Sequence, residues 1–164
     1  MRELMAAVAA ELVANDMRLV TAESCTGGMV AAEITAYPGC SDWFEGGFVT
    51  YRLSAKEQMI GVKRKTLETF GAVSEPTARE MAEGALAASD AQISVSVTGV
   101  AGPDGGNLLT PVGTVWFGWA VRNPDPVCLQ TSRYEFSGNR EEVRVQAVRI
   151  ALEGVRTALA GPPR

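Results

Sequence analysis

The chain has 164 residues, 46% of them hydrophobic, a formal net charge of −4 and no histidine. This length fits one domain with a single core, and we expect that domain to cover residues 1–160, with a short tail at 161–164. The acidic balance disfavours a protein that binds nucleic acid or an anionic membrane surface. No stretch approaches the roughly 18 apolar residues that a membrane-spanning helix needs.

The cysteines and the N-terminal residues indicate the compartment. Cys25, Cys40 and Cys128 are odd in number and widely spaced, which argues against a disulfide framework and a structural zinc site. Charged residues interrupt the apolar pattern at the N-terminus, so we expect no signal peptide. The sequence therefore predicts a cytoplasmic protein that uses no metal and no cofactor.

Helical and strand patterns alternate in the first half of the chain. The spacing of apolar residues predicts a helix that ends near Asn15, a strand over 19–22, a helix over 27–36 and a strand over 46–51.

Two further helices are marked by their caps. Ser54 is predicted to cap a short helix that carries Lys56, and Ser74 to cap a longer helix with Pro76 in its first turn. A strand that alternates apolar residues with serines over 93–97 follows, and it is predicted to end at Thr98-Gly99.

The last third of the chain begins with a loop over 99–111 that is rich in Gly, Pro, Asp and Asn, and loops of this length are often functional. Two antiparallel strands over 114–121 and 127–136 are predicted next, with a hairpin-like connection at 123–126. Asn139 begins a final helix, whose predicted buried face contains Val143, Ala147, Ile150, Ala151 and Val155. This alternation of helices and strands predicts an α/β layer fold.

Residues 23–28 (ESCTGG) lie between a predicted strand and a predicted helix. A helix start exposes backbone N–H groups, and Gly27 and Gly28 allow a ligand to approach them closely. Such a loop can bind a phosphate or the oxyanion of an acyl-transfer reaction. Ser24 is then a candidate nucleophile, and because the chain has no histidine, a lysine is the obvious base. Alternatively, Ser24 or Thr26 simply caps the helix.

Several short segments in a fixed order carry a family resemblance. They are 22–28 (AESCTGG), 46–51 (GGFVTY), 55–56 (AK), 61–62 (GV), 71–74 (GAVS), 97–103 (VTGVAGP) and 111–115 (PVGTV). Together they resemble the CinA carboxy-terminal domain family, whose characterised members include nicotinamide-nucleotide amidases. The resemblance implies a three-layer α/β/α sandwich around a small mixed β-sheet. It also implies a homodimer. Longer members of the family carry this domain after a molybdopterin-binding-like domain, and the chain resembles a stand-alone version of it.

The resemblance implies a set of site residues as well. Ser24 would be the nucleophile, with Lys56 and Tyr51 completing the catalytic centre. A basic residue near Arg140 would belong to the substrate pocket. The sequence departs from the family at Arg52-Leu53, where many members have Ser-Asn, and this change falls beside Tyr51.

The implied reaction is hydrolysis of nicotinamide mononucleotide to nicotinate mononucleotide and ammonia. Ser24 would attack the carboxamide carbon, Lys56 would accept its proton, and backbone N–H groups of residues 26–28 would bind the oxyanion. Lysine must be neutral to act as a base, and both the start of a Ser54-capped helix and partial burial would lower its pKa. The alternative is a solvated surface lysine. Tyr51 would hydrogen-bond Ser24 or relay a proton, or it is only a strand-end aromatic residue with a hydrated hydroxyl.

A nucleotide substrate also needs an anion site. Thr98, Gly99 and Gly102 offer small groups and backbone amides that suit one, and Arg140 adds a positive charge. Arg144, one turn further along the same helix, is expected to pair with surface acids instead.

Other functions compete with the amidase. A buried Cys25 is usually a small apolar residue, yet it is a second possible nucleophile. The chain could also be a non-catalytic nucleotide- or phosphate-binding module, or a Ser–Lys hydrolase of another amide. A protein-interaction role in DNA uptake is a further alternative, although the acidic charge disfavours direct DNA binding.

Overall fold

The computed structural model describes residues 1–122 and 127–161. The helices are α1 (Arg2–Ala14), α2 (Met29–Thr35), α3 (Leu53–Ile60), α4 (Arg64–Phe70), α5 (Glu75–Ala87) and α6 (Arg140–Ala160), with a 3₁₀ turn at Cys40–Asp42. The strands are β1 (Leu19–Glu23), β2 (Phe44–Val49), β3 (Ile93–Gly99), β4 (Thr114–Val121) and β5 (Cys128–Glu135). Within these described ranges, no helix is long and apolar enough to cross a membrane.

The strands form one mixed sheet in the order β2-β1-β3-β4-β5. β1 pairs in parallel with both β2 and β3, whereas β4 runs antiparallel to β3 and β5 antiparallel to β4. Residues of α1, α2 and α6 pack on one face of this sheet, and residues of α3, α4 and α5 pack on the other. The predicted three-layer α/β/α sandwich is therefore confirmed.

The two faces of the sheet carry side chains of different size. Large apolar residues of β3 and β4, among them Phe117 and Trp119, face α1 and α6, and the Trp119 indole N–H donates to the Ala151 carbonyl (2.9 Å). The opposite face carries Ser94 and Ser96, whose hydroxyls donate to backbone carbonyls of α5. These small residues let α5 lie close to the sheet.

The predicted helices and strands are largely confirmed, with differences at their ends. α2 begins at Met29, because Gly27 and Gly28 adopt the left-handed conformation (φ +58° and +98°). β2 covers Phe44–Val49, so Tyr51 lies beyond the strand. In α6, Ile150 is only partly buried and packs at the edge of the core.

The prediction that Ser54 caps a helix is wrong. α3 begins at Leu53 with Arg52 as the N-cap residue, and that cap makes no side-chain hydrogen bond. The sequence also gave no sign of α4, whose buried residues are only Thr66 and Leu67, too few for a helical pattern. The predicted connection at 123–126 and residues 162–164 of the predicted tail lie outside the described residues.

Gly84 of α5 holds α3 against the second layer. A Cβ atom at Gly84 would collide with the backbone carbonyl oxygen of Ile60, the last residue of α3. Glycine in a helix interior ordinarily lowers helix stability by ~1 kcal/mol relative to alanine. The close contact with Ile60 explains why a residue without a side chain is present here.

We therefore expect Gly84→Ala to destabilise the protein, although alanine is the better helix former. Overpacking at a backbone contact should lower the free energy of unfolding by ~1–3 kcal/mol, which urea denaturation measures. Glu83→Ala, at an exposed position of the same helix, is the matched control. A Gly84→Ala variant at least as stable as the parent would contradict the close packing of α3 on α5.

Candidate active site

Ser24 and Lys56 meet at the carboxyl end of the parallel strands. Ser24 directly follows β1, and its N–H donates to the Val97 carbonyl of β3 (2.9 Å). Lys56 lies in α3, and its Nζ is 3.0 Å from the Ser24 Oγ. Both residues are buried, and Lys56 is 0% exposed. The structure thus brings together two residues that are far apart in the sequence.

The surroundings of Lys56 make its charged form less favourable than in water. Its Nζ also lies 2.7 Å from the Thr50 carbonyl oxygen and 3.2 Å from that of Tyr51. Among the described residues, no carboxylate lies within ion-pair distance of it. Burial lowers the pKa of Lys56 from 10.5 to about 8. All three neighbours can accept hydrogen bonds from the Lys56 ammonium. A neutral amine has only two N–H groups, so if these donate to the two carbonyls, its lone pair is left for the Ser24 hydroxyl.

The cause of this lowered pKa differs in part from the sequence-based expectation. Because α3 begins at Leu53, Lys56 is the fourth residue of the helix, further from the helix start than a Ser54 cap would place it. The alternative of a solvated surface lysine is wrong, because the side chain is fully buried.

The buried carboxylate of Glu23 caps α2 from inside the protein. Its Oε2 accepts hydrogen bonds from the Gly28 and Val30 N–H groups (both 3.0 Å), and its Oε1 accepts one from Ala31 N–H (2.9 Å). These groups are the unsatisfied donors of a helix start. The side chains of Ser24 and Thr26 make no such capping bond, and sequence reasoning missed the role of Glu23.

This cap changes which backbone groups are available to a ligand. The Gly28 N–H is held by Glu23, and the Gly27 N–H donates to the Ser24 carbonyl (3.0 Å). The two glycine N–H groups are therefore not free, contrary to the expectation for residues 26–28. In the described part of the chain, the N–H groups of Cys25 and Thr26 have no protein acceptor.

Arg144 contacts the outer side of the same loop. Its Nε donates to the Cys25 carbonyl and its Nη2 to the Thr26 carbonyl, each at 3.1 Å. The prediction that Arg144 pairs with surface acids is wrong. Its partners are backbone carbonyls, which no side-chain pattern in the sequence could have indicated.

Arg140 and Tyr51 lie together at the edge of the site. Arg140 Nη1 donates to the Gly102 carbonyl (2.8 Å), and its Nη2 lies 3.5 Å from the Tyr51 hydroxyl. Tyr51 is 59% exposed, and among the described residues its hydroxyl has no hydrogen bond to Ser24. Only its backbone carbonyl reaches Lys56.

The structure does not bring all of the predicted anion-binding residues to this edge. The Thr98 hydroxyl donates to the Ala72 carbonyl (2.7 Å), so its proton is not available to an anion. Gly99 is packed tightly against Thr114 and Val115 of β4. Gly102 alone of this group lies beside Arg140.

Cys25 is poorly suited to be the nucleophile. Its side chain is buried, and burial raises the pKa of the thiol to about 11, so the reactive thiolate is scarce near neutral pH.

Two fully buried hydroxyls near the site, those of Thr26 and Thr50, have no hydrogen-bond partner among the described residues. The described residues also contain no cluster of three or more Cys, Asp or Glu side chains that could hold a metal ion.

Comparisons with known proteins place this arrangement in a family. The family model of the CinA C-terminal domain matches residues 1–159. The chain belongs to the CinA C-terminal domain family. The resemblance seen in the sequence motifs is thus confirmed.

Two relatives and two solved structures illustrate the likeness. Nicotinamide-nucleotide amidohydrolase PncC of Escherichia coli K12 is 52% identical over 92% of this chain and 90% of its own length. The CinA-like protein of Akkermansia muciniphila is 44% identical over 96% of this chain, which corresponds to 37% of that protein. The competence damage-inducible protein A of Klebsiella pneumoniae matches at a TM-score of 0.91 and 42% identity over 98% of each chain. The competence/damage-inducible protein of Agrobacterium tumefaciens matches at a TM-score of 0.88 and 42% identity, over 96% of this chain and 94% of its own.

We expect the buried Lys56 amine to cost stability in a pH-dependent way. The folded pKa of about 8 lies below the usual 10.5, so between these values the unfolded chain binds the proton and the folded chain does not. The cost is therefore fully present below about pH 8 and shrinks as the pH rises toward 10.5. Lys56→Met removes it, so the free energy of unfolding of this variant relative to the parent should fall by ~2 kcal/mol between about pH 7 and about pH 9.5.

Urea unfolding at the two pH values measures this difference. Lys65→Met, at an exposed position of α4, is the control and should show no such trend. A Lys56→Met difference that is the same at both pH values would contradict a lowered pKa.

Proposed function

We propose that the protein is a nicotinamide-nucleotide amidohydrolase that uses Ser24 as nucleophile and Lys56 as general base. The reaction class follows from relatives about half identical over most of the chain, such as the PncC proteins of Escherichia coli and Enterobacter agglomerans. The observation that supports the mechanism is the buried contact of 3.0 Å between Lys56 Nζ and Ser24 Oγ. The substrate we propose is nicotinamide mononucleotide, with nicotinate mononucleotide and ammonia as products.

The first half of the reaction forms an ester on Ser24. The Ser24 hydroxyl gives its proton to the neutral Lys56 amine while Oγ bonds to the carboxamide carbon. The carbonyl oxygen becomes an oxyanion, and we assign as its donors the N–H groups of Cys25 and Thr26, which have no acceptor among the described residues. The Lys56 ammonium then protonates the leaving nitrogen, the C–N bond breaks and ammonia departs.

The second half returns the enzyme to its starting state. Lys56, neutral again, takes a proton from a water molecule whose oxygen attacks the ester carbon. The C–O bond to Ser24 breaks, and Lys56 returns the proton to Oγ. One amide and one water thus become one carboxylic acid and one ammonia, and all protons are accounted for by Lys56.

The exposed edge of the site is where we place the rest of the nucleotide. The Arg140 guanidinium is the cation beside Tyr51, and it suits the substrate phosphate. We retain Tyr51 as a predicted member of the catalytic centre, with its hydroxyl facing the bound substrate. Arg52 and Leu53 directly follow Tyr51, which lies beside Arg140, so they are the first candidates for a change in which substrate is accepted.

Several further expectations stay predictions. We expect residues 1–160 to act as one domain of a cytoplasmic homodimer that binds no nucleic acid. The alternatives of a non-catalytic nucleotide-binding module and of a Ser–Lys hydrolase of another amide are outcomes of the experiment below.

Ammonia release from nicotinamide mononucleotide should depend on Ser24 and Lys56. Removal of either member of the pair stops the formation or breakdown of the ester, so Ser24→Ala and Lys56→Ala should each lower kcat by at least ~10³-fold. Cys25→Ala should keep kcat within about threefold of the parent, because its thiol takes no part. Circular dichroism checks that each variant is folded.

The rival functions give different results in the same assay. A binding module would bind the nucleotide without releasing ammonia, and Ser24→Ala would leave that binding intact. A hydrolase of another amide would react with a generic ester substrate at Ser24 and leave nicotinamide mononucleotide unchanged. Loss of activity in Cys25→Ala with retention in Ser24→Ala would overturn the assignment of the nucleophile.

The pH dependence of turnover should report the Lys56 amine. Only the neutral amine accepts the Ser24 proton, and burial lowers its pKa to about 8. We therefore expect kcat/KM to rise about tenfold per pH unit below pH 8 and to level off above it. A rate that is independent of pH between about 6 and about 9 would argue against Lys56 as the base.

A further inference from the structure

The loop after Ser24 leaves few backbone donors for an oxyanion. Glu23 occupies the N–H groups of Gly28, Val30 and Ala31, and the Ser24 carbonyl occupies that of Gly27. Within the described residues, those of Cys25 and Thr26 remain unused. These N–H groups belong to the two residues that directly follow Ser24.

The orientation of one of these donors is coupled to Arg144. The carbonyl of Cys25 and the N–H of Thr26 belong to the same peptide group, and in a trans peptide they point in opposite directions. Arg144 Nε holds that carbonyl at 3.1 Å. The Thr26 N–H must therefore point away from Arg144 and α6.

The second contact of Arg144 fixes the next peptide group as well. Its Nη2 holds the Thr26 carbonyl at 3.1 Å, so one planar guanidinium restrains two successive carbonyls. Charge-assisted bonds of this kind are about twice as strong as neutral ones, and the rigid fork of Arg sets their direction. Arg144 is only half-buried and makes no ion pair among the described residues.

We propose that Arg144 is a positioning residue, which holds the Cys25 and Thr26 carbonyls so that the Thr26 N–H donates to the oxyanion formed at Ser24. This inference rests on the proposed function, because it requires an oxyanion at Ser24. Arg144 acts through the backbone and contacts no reacting atom. It is distinct in this respect from Arg140, which lies beside Tyr51 at the exposed edge.

A positioning role and a merely structural role have different kinetic signatures. The oxyanion exists in the transition state and in the intermediate that follows, so a misdirected donor lowers kcat and leaves KM nearly unchanged. Loss of one oxyanion donor typically costs ~10²–10³-fold in rate. If Arg144 only held α6 and the loop together, its substitution would lower stability and would not lower kcat selectively at constant KM.

The test uses Arg144→Ala, Arg144→Lys and the control Arg149→Ala in the full chain. Arg149 lies on the same helix and pairs on the surface with Glu153 (2.8 Å). For Arg144→Ala we expect kcat to fall ~10²-fold, with KM for nicotinamide mononucleotide within about threefold of the parent, and for Arg149→Ala no change. Added ethylguanidinium should restore part of the lost kcat of Arg144→Ala. Ethylammonium should restore less, since its donors share one nitrogen and lack the planar fork that matches two successive carbonyls.

Arg144→Lys keeps the inference open to refutation even if the alanine variant does not fold. It retains the charge and one hydrogen bond, so it should show an intermediate kcat and an unchanged KM. An unchanged kcat in Arg144→Lys or Arg144→Ala, or a rise in KM alone, would overturn the positioning role.

Labelling of Ser24 by diisopropyl fluorophosphate separates this inference from the proposed function. The phosphoryl oxygen of this reagent occupies the oxyanion position, and the reaction needs no nucleotide. If the parent releases no ammonia yet Ser24 is labelled, and more slowly in Arg144→Ala than in Arg149→Ala, the substrate is wrong and the positioning role stands. If the parent is active and both variants are labelled at the rate of the parent, the function stands and the positioning role is wrong.

Discussion

The rest of the site depends on burial of the Lys56 amine, which has no carboxylate partner in the described part of the chain. A charged amine in such a position is unfavourable, and a carboxylate beside it would restore the charge and destroy the base. The two acceptors are instead the neutral carbonyls of Thr50 and Tyr51. In the proposed mechanism they accept hydrogen bonds from the neutral amine and leave its lone pair for Ser24. β2 ends at Val49. The carbonyls of the next two residues are therefore free to accept hydrogen bonds from Lys56 of α3.

The two charged groups around the Ser24 loop, Glu23 and Arg144, both form hydrogen bonds with the backbone. Glu23 binds the N–H side of the α2 start, where the helix dipole favours a negative charge, and Arg144 binds the carbonyl side of the loop. The positive end of α2 is thereby neutralised from inside the protein. In the proposed reaction, an anionic substrate group would therefore bind at the exposed edge beside Arg140. The N–H groups of Cys25 and Thr26 would remain for the much smaller oxyanion.

The sequence was sufficient to predict structure where apolar residues repeat regularly along one helix or strand. It was sufficient to predict site residues where they belong to a family motif. The long helices α1, α5 and α6 have many buried residues, and the motifs led to Ser24 and Lys56. Prediction failed where the partner is a backbone group. Arg144 bonds carbonyls more than a hundred residues away, and the α3 cap is a backbone turn at Arg52 without a side-chain bond. Neither interaction leaves a characteristic residue type at a fixed spacing.

The distance between Ser24 and Lys56 is set by layer packing as much as by the loops that carry them. Ser24 belongs to the sheet, whereas Lys56 belongs to a helix that touches the sheet mainly through α5. Gly118 of β4 leaves room for the α5 backbone at Ala78, and Gly84 of α5 leaves room for the α3 backbone at Ile60. Two glycines thus help to set the position of α3, which carries Lys56, relative to the sheet. Because closely packed interiors transmit displacements with little compression, residues remote from the chemistry help to fix the geometry of the Ser–Lys pair.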